Sequence, residues 1–342
     1  MKAMIIERTT DLTKNLSPLT PVDVPTPKPG REEILIQVKA CGVCHTELDE
    51  IEGRTPPPVF PVIPGHQAVG SVVEAGPGAR KHPLGSRVGV AWIFSACGRC
   101  RWCVQGNDNL CSKFRATGRD ADGGYAEYMK VHQDFAYPIP ERFTSAQAAP
   151  LLCAGAIGYR SLSLAAVENG DAIGLTGFGA SAHLVLKMIR HRLPDSRVYV
   201  FARNPKERDF ARDLGAVWAG GIPERSPESL QAVIDTTPVW TPVREALKNL
   251  SPGGRLVINA IRKEEADKSA LLELDYPGHL WMEKEIKSVA NVARSDVTAF
   301  LDLAAQIPIV PEVHTFELAQ ANEALVELKQ GKIRGAKVLL MS

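Results

Sequence analysis

Along roughly the first 150 residues, the apolar positions fall in short β-type runs broken by turn formers. Glu33-Ile-Leu-Ile-Gln-Val38 follows Pro27-Lys-Pro-Gly30, and Ala68-Val-Gly-Ser-Val-Val73 precedes Gly76-Pro-Gly78, a pattern of strands and turns. The pattern changes after Asn169-Gly-Asp171: a strand at Ala172–Thr176 leads through a glycine turn to a helix with Ala182, Val185, Leu186 and Ile189 on one face. A second strand, Val198–Phe201, is followed by Asn204 as N-cap and Pro205 at the first helical position. The helix they open carries Phe210, Ala211 and Leu214 and stops at Gly215. Further strands are expected at Ala232–Ile234, Leu256–Ile258 and Ile286–Val289. Strand and helix alternate over roughly 160–290, which implies βαβ crossovers and a parallel sheet. The chain closes with a helix near Val297–Ala305, another near Leu318–Lys329 and a strand at Ala336–Met341.

A length of 342 residues predicts two domains with room for a sizeable core. Lys plus Arg number 40 against 39 Asp plus Glu, so no charge excess favours phosphate backbones or anionic membranes, and no nucleic-acid partner is expected. No run reaches the roughly 18 uncharged apolar residues of a membrane helix, and Met1 to Ser17 is charged throughout. A cytoplasmic protein without a membrane partner is expected.

The seven cysteines are clustered. Cys97-Gly-Arg-Cys100-Arg-Trp-Cys103 and Cys111 put four thiols within 15 residues, close enough to enclose one tetrahedral Zn²⁺. Four sulfurs leave no open coordination position, so this zinc would stabilise a loop. A nucleic-acid-binding zinc ribbon is disfavoured, because Arg99, Arg101 and Lys113 alone do not make a basic surface. Outside the quartet stand Cys44 in Gly42-Val-Cys44-His-Thr46, His66 in Pro64-Gly-His66-Gln67, and Cys153 in Pro150-Leu-Leu-Cys153. Singly, each reads as well as an ordinary residue; a lone Cys in an apolar run is usually a small core residue.

Jointly, these motifs resemble the zinc-dependent alcohol dehydrogenases of the medium-chain dehydrogenase/reductase superfamily, across essentially the whole chain. The resemblance implies an α/β fold: a Rossmann-type parallel-sheet domain plus a mostly β, GroES-like catalytic domain. Residues 1–155 would form the catalytic zinc-binding domain, 156–292 the NAD(P)-binding domain, and 293–342 would return to the catalytic domain, with a cleft between the two. It assigns Cys44, His66 and Cys153 to a catalytic zinc with an open fourth position, and Cys97, Cys100, Cys103 and Cys111 to a structural zinc, two Zn²⁺ per chain. Thr46 matches the hydroxyl that relays the alcohol proton, with an ST-turn hydroxyl as the plainer alternative. His45 matches a residue that contacts the cofactor pyrophosphate, or is an exposed loop histidine.

Three positions depart from the family pattern. Gln67 stands where a Glu near the metal is common. Glu47 stands where an Asp usually orients the ligand His. Asp49 stands where many members carry a His that passes the proton outward, and a carboxylate is a weaker proton acceptor at neutral pH.

Gly177-Phe-Gly179-Ala-Ser-Ala182 is a G-x-G-x-x-A between a strand and a helix. The first glycine turns the chain, the second admits a pyrophosphate to the helix N-terminus at Ala180 and Ser181, and Ala182 lets helix and sheet approach. An NAD-binding unit ends its second strand with an acidic residue. As family members align, that position is Ala202, followed by Arg203, so NADP(H) is expected over NAD(H), unless Arg203 merely caps its loop. Arg334 matches an arginine that reaches the pyrophosphate.

The resemblance implies hydride transfer between NADP(H) and a primary or secondary alcohol or aldehyde, in a homodimer or homotetramer with the strand at Ile286–Val289 as candidate edge. Trp92 would line a pocket for aliphatic or aromatic aldehydes, or belong to the core. Two alternatives stay open. One is a metal-free reductase of the same superfamily. The other is a catalytically weakened member that acts as a cofactor-binding sensor or structural protein, for which Gln67 and Asp49 speak.

Overall fold

The computed structural model describes residues 1–331 and 335–341. Ala154–Val292 form one compact unit, and the described residues before and after it form another.

The chain begins with a two-stranded antiparallel sheet, β1 (Lys2–Ile5) with β2 (Thr20–Asp23). The long strand β3 (Glu33–Val43) follows, and α1 (His45–Ile51) starts directly from its end. Then come β4 (Ala68–Ala75), β5 (Arg87–Val90), β6 (Ile93–Ser95), α2 (Arg101–Val104), β7 (Arg115–Ala116), β8 (Tyr128–His132), β9 (Ala136–Pro138) and α3 (Ser145–Ala148). β6 and β7 pair antiparallel at the base of the loop that carries α2 and the cysteine quartet. Ile34, Leu35, Ile36, Val38, Ala40 and Cys41 of β3 are all buried. β3 is covered on both faces, which is why it reads as an almost continuous apolar run.

The second unit contains α4 (Ala154–Ala165), β10 (Ala172–Thr176), α5 (Ala180–Arg192), β11 (Arg197–Phe201), α6 (Pro205–Asp213), β12 (Trp218–Gly220), β13 (Leu230–Asp235), α7 (Thr241–Asn249), β14 (Leu250–Ile258) and β15 (Glu285–Ser288). Its sheet is wholly parallel in the order β12-β11-β10-β13-β14-β15. This is the doubly wound Rossmann order, with its topological switch between β10 and β13. α5 buries Ala182, Val185, Leu186 and Ile189, as its periodicity predicts. Phe210 departs from that pattern: it is 45% exposed and meets Phe178 edge-on at 5.7 Å. β12 and α7 are two elements not among those expected from the sequence. Three residues are too few for periodicity to show, and α7 follows a loop that ends in Pro238, Val239 and Trp240.

The chain then returns to the first unit through α8 (Arg294–Gln306), β16 (Val313–Glu317), α9 (Ala321–Lys329) and β17 (Ala336–Leu340). β17 lies antiparallel to β3, with Lys337 opposite Val43 and Val338 opposite Gly42. The last strand thus clamps β3 at the residues immediately before Cys44, in a sheet ordered β16-β17-β3-β4-β5-β9 with β8 also on β3. Arg142 donates from Nη1 to the carbonyls of Ala305 and Ile307 at 2.9 and 3.0 Å, satisfying the negative end of α8. Among the described residues, no helix is long and apolar enough to cross a membrane.

Candidate metal centres and dinucleotide site

The four sulfurs of Cys97, Cys100, Cys103 and Cys111 lie within 4.8 Å of one another. Cys97 Sγ is 4.0 Å from Cys103 Sγ, and Cys100 Sγ is 3.5 Å from it. Zn–S bonds of about 2.3 Å in a tetrahedron place sulfurs about 3.8 Å apart, so the quartet fits one zinc. Backbone N–H groups point at the sulfurs: Cys97 N and Lys113 N donate to Cys111 Sγ at 3.5 and 3.3 Å. Hydrogen bonds from the backbone of Arg99 and Cys100 bring Cys97 down to about 6, a thiolate at neutral pH. Burial pushes Cys103 up to about 12, which leaves it a thiol until a cation replaces its proton. Arg294 donates from Nε to the buried Asp108 at 2.5 Å and ties this loop to the start of α8.

A second donor set, Cys44, His66 and Cys153, also converges within 4.8 Å, with Cys44 Sγ 3.9 Å from Cys153 Sγ. Cys44 is the N-cap of α1. Glu47, three residues on, accepts from the Cys44 N–H at Oε2 (2.8 Å) and from His66 Nδ1 at Oε1 (2.6 Å). One carboxylate therefore fixes the backbone of one donor and the ring of another, and leaves Nε2 as the nitrogen free to meet a metal. Gly65, with φ +99°, is needed just before His66: a Cβ there would lie 2.3 Å from the Tyr125 ring. The hydrogen bond from Cys153, aided by His66 and opposed by burial, holds Cys44 well below the usual thiol range. The same bond and burial push Cys153 well up. Burial alone would lower His66, but the Glu47 charge and the bonds to Cys44 and Glu47 lift it well above the usual imidazole range. Two sulfurs and one imidazole fit a zinc that keeps a position open.

Thr46 Oγ1 lies 3.8 Å from Cys44 Sγ, and His45 is exposed on the outer side of the same turn. Gln67 is buried, and its Nε2 is 3.5 Å from His66 Nε2. Asp49 is 5% exposed and accepts from Arg54 Nε at 2.5 Å. Arg54 also donates to Glu52, which in turn accepts from Lys329 at 2.8 Å. The spacing of residues foreshadows none of these ion pairs. Trp92 is 8% exposed, packed on Phe114 at 5.0 Å and beneath the Arg119 guanidinium, a well-buried position on the core side of its two readings. Glu50, unremarked in the sequence, is buried on α1 with neither oxygen hydrogen-bonded to any described residue. Burial and the Glu47 charge push its carboxyl well up, against the pull of His66 and Arg119.

In the parallel-sheet unit, Gly177 (φ +74°) makes the turn after β10, and a Cβ there would sit 3.0 Å from Thr236 Oγ1 and Thr237 Cγ2. Gly179 is different: it is exposed, and a Cβ there would meet nothing within 4 Å. The protein's own packing does not demand glycine at 179, whereas a phosphate group drawn close to the backbone would. Gly179 caps α5 without a side-chain bond, so the first N–H groups of the helix, at the exposed Ala180 and the half-buried Ser181, are available to an anion. Beneath the turn, Thr176 donates to Asp235 at 2.6 Å, and Lys263 reaches Asp235 and the carbonyls of Thr237 and Val239. At the end of β11, Ala202 is buried and bonded to Gly220, while Arg203 is exposed and Asn204 caps α6. Arg334 lies outside the described residues.

Replacing Cys103 by Ser is expected to remove one zinc equivalent and about 3 kcal/mol or more of stability. That corresponds to a fall in Tm of about 6–12 °C for a unit of this size. Zinc analysis and calorimetry of the variant check this; an unchanged Tm with a full zinc complement contradicts a structural role for the quartet.

Residues 30–141 match the family model described as the alcohol dehydrogenase GroES-like domain. The chain is 41% identical over 329 residues to a Mycobacterium tuberculosis protein named "Probable alcohol dehydrogenase AdhA", covering 95% of this chain and 93% of that one. It is 32% identical to an alcohol dehydrogenase of Geobacillus stearothermophilus, over 93% and 94% of the two chains. Among solved structures, a cobalt- and zinc-bound thermostable alcohol dehydrogenase from Pyrobaculum aerophilum superposes with a TM-score of 0.85 at 25% identity, covering 99% of each chain. The chain belongs to the zinc-dependent alcohol dehydrogenase family of the medium-chain dehydrogenases/reductases and is an oxidoreductase.

Proposed function

We propose that the protein interconverts primary or secondary alcohols with aldehydes or ketones, using NADP(H) as the hydride partner. One zinc would be held by Cys44, His66 and Cys153, and a second by the quartet. The observation that carries this reading is the convergence of two thiols and one imidazole with Glu47 locking the imidazole. When bound, the catalytic zinc polarises the substrate C–O bond and the dinucleotide supplies or accepts the hydride. Residues 1–155 and 293–342 would carry the metals, and 156–292 the dinucleotide.

The side chains have separate tasks in this reading. Glu47 keeps His66 Nδ1 occupied, so the ring presents Nε2. Thr46 takes the hydroxyl proton at Oγ1 during oxidation and returns it during reduction. Asp49, one turn along α1 and paired with Arg54 Nε, passes that proton outward. Gly177, Gly179, Ala180 and Ser181 cradle the pyrophosphate, and His45 would approach it as in the family. Arg203, with no carboxylate at Ala202 to repel a 2′-phosphate, would pair with that phosphate. Closely spaced free thiols fit a reducing, cytoplasmic setting.

The test is NADPH oxidation against a panel of aliphatic and aromatic aldehydes, before and after chelation. Activity is expected to disappear with the chelator and return with zinc, and Cys44→Ser is expected to abolish it. Arg203→Ala should lower kcat/KM for NADPH about 10- to 100-fold, the worth of a charge-assisted pair, with little change for NADH. A wild-type preference for NADH removes the NADP(H) assignment. Zinc-replete protein that turns over no aldehyde with either cofactor favours the sensor reading instead.

We also propose that two copies associate along β15. It is the edge strand of the parallel sheet, all four of its residues are exposed, and Tyr276, Trp281, Met282 and Ile286 are exposed apolar groups in the same stretch. Ile286→Asp is expected to shift the native mass from dimer or tetramer towards monomer in sedimentation velocity. An unchanged assembly, or a wild-type monomer, removes this interface.

A further inference from the structure

α1 carries two carboxylates one turn apart on one face, Glu47 and Glu50, and both are buried. Glu47 is satisfied through its bonds to Cys44 N and His66 Nδ1. Glu50 is 1% exposed, and neither of its oxygens finds a donor among the described residues. A dry carboxyl without a donor is costly, and a negative neighbour one turn away raises that cost. The charged groups that bear on it are Glu47 and Cys44, which oppose its ionisation, and His66 and Arg119, which favour it. Arg119 is bound through Nε and Nη2 to Asp120, so its pull on Glu50 is that of a shared charge. Gln67, the polar side chain beside His66, brings no charge to the centre.

These observations call for a cation near Glu50, and the donor set tied through Cys44 and His66 to Glu47, the carboxylate one turn away, would supply one. Resting on the metal-centre reading above, we propose that Glu50 is a positioning residue that provides the non-ligand negative charge retaining the metal at Cys44, His66 and Cys153. It acts through space, because its oxygens are not among the donor atoms that converge within 4.8 Å. Two thiolates neutralise a divalent ion, Glu47 is engaged with His66, and Gln67 is neutral. Glu50 therefore adds the charge that makes loss of the ion unfavourable, and the ion supplies the counter-charge that the carboxylate lacks.

Charge retention and a purely structural role move two measurements in different directions. Glu50→Gln removes the repulsion from Glu47 at constant shape, so the metal-free protein should melt at the same temperature or higher. Its zinc or Co²⁺ affinity at the three-ligand site, measured by competition with a chromogenic chelator, should fall about 10- to 100-fold, while the quartet zinc is retained. In the Glu50→Gln, Gln67→Glu double variant, a carboxylate placed beside His66 should recover most of that loss. Unchanged or tighter metal binding in Glu50→Gln overturns the proposal. So does a metal-free form that melts lower, or a double variant that recovers nothing. Wild-type protein that binds metal only at the quartet removes the three-ligand centre itself, and that outcome is separable because it appears before any substitution is made.

Discussion

Two of the three donors at the candidate metal centre, Cys44 and His66, are held by the Glu47 carboxylate. It accepts from the backbone of Cys44 and from the ring of His66 within a fully buried setting. A charged group in such a place is tolerated only when its hydrogen bonds are complete, and each of its two oxygens has a short one. The bond to Cys44 N also closes the first turn of α1, so one side chain caps the helix, orients the imidazole and sets the distance between two donors. Compared with Asp, Glu brings one more methylene. The reach to His66 survives this because Glu47 sits inside the helix it caps, and its extra length is taken up in folding back over Cys44.

The scaffold behind this carboxylate is built from long-range pairings. β3 delivers Cys44 at its end and is held there by β17, the last strand of the chain, and on its other edge by β4. Gly65, just before His66, lies against Tyr125 and Cys41, where any side chain would collide. Gly42 serves the neighbouring residue in the same way: a Cβ there would lie 2.2 Å from Gln67 Oε1. The centre is thus positioned by backbone approach as much as by its ligands, and Cys41, the one cysteine outside both metal sets, is a buried packing residue of β3.

What was legible in the sequence was whatever depends on local spacing. The quartet, the strand-turn-helix around Gly177 and the cap at Asn204 are short-range patterns with one physical solution each. The bond from His66 to Glu47 was open in the sequence, because a 19-residue separation says nothing about distance. The pairing of Asp49 with Arg54 was invisible for another reason: the two residues lie in different local structures, α1 and the turn after it, and only the return of the chain at Arg54 N to Asp49 O brings them together. Glu50 escaped notice because an acidic residue on a short helix usually faces water. It is buried because it faces Glu47, Cys44, His66 and Arg119, groups brought together from separate segments of the chain.

The two glycines of the turn between β10 and α5 show how function separates from folding at one motif. Gly177 is required by the protein itself, through its positive φ and its contact with Thr236 and Thr237. Gly179 is required by nothing within the protein, for the space beside it is empty. Substitution at the first position would strain the β10–α5 turn whether or not a ligand is bound. At the second, the cost would fall on whatever approaches the backbone from outside. A residue kept small where the fold leaves room points to an external occupant. The uncapped N–H groups at the start of α5 give that occupant its charge: an anion, held by backbone donors and the positive end of the helix.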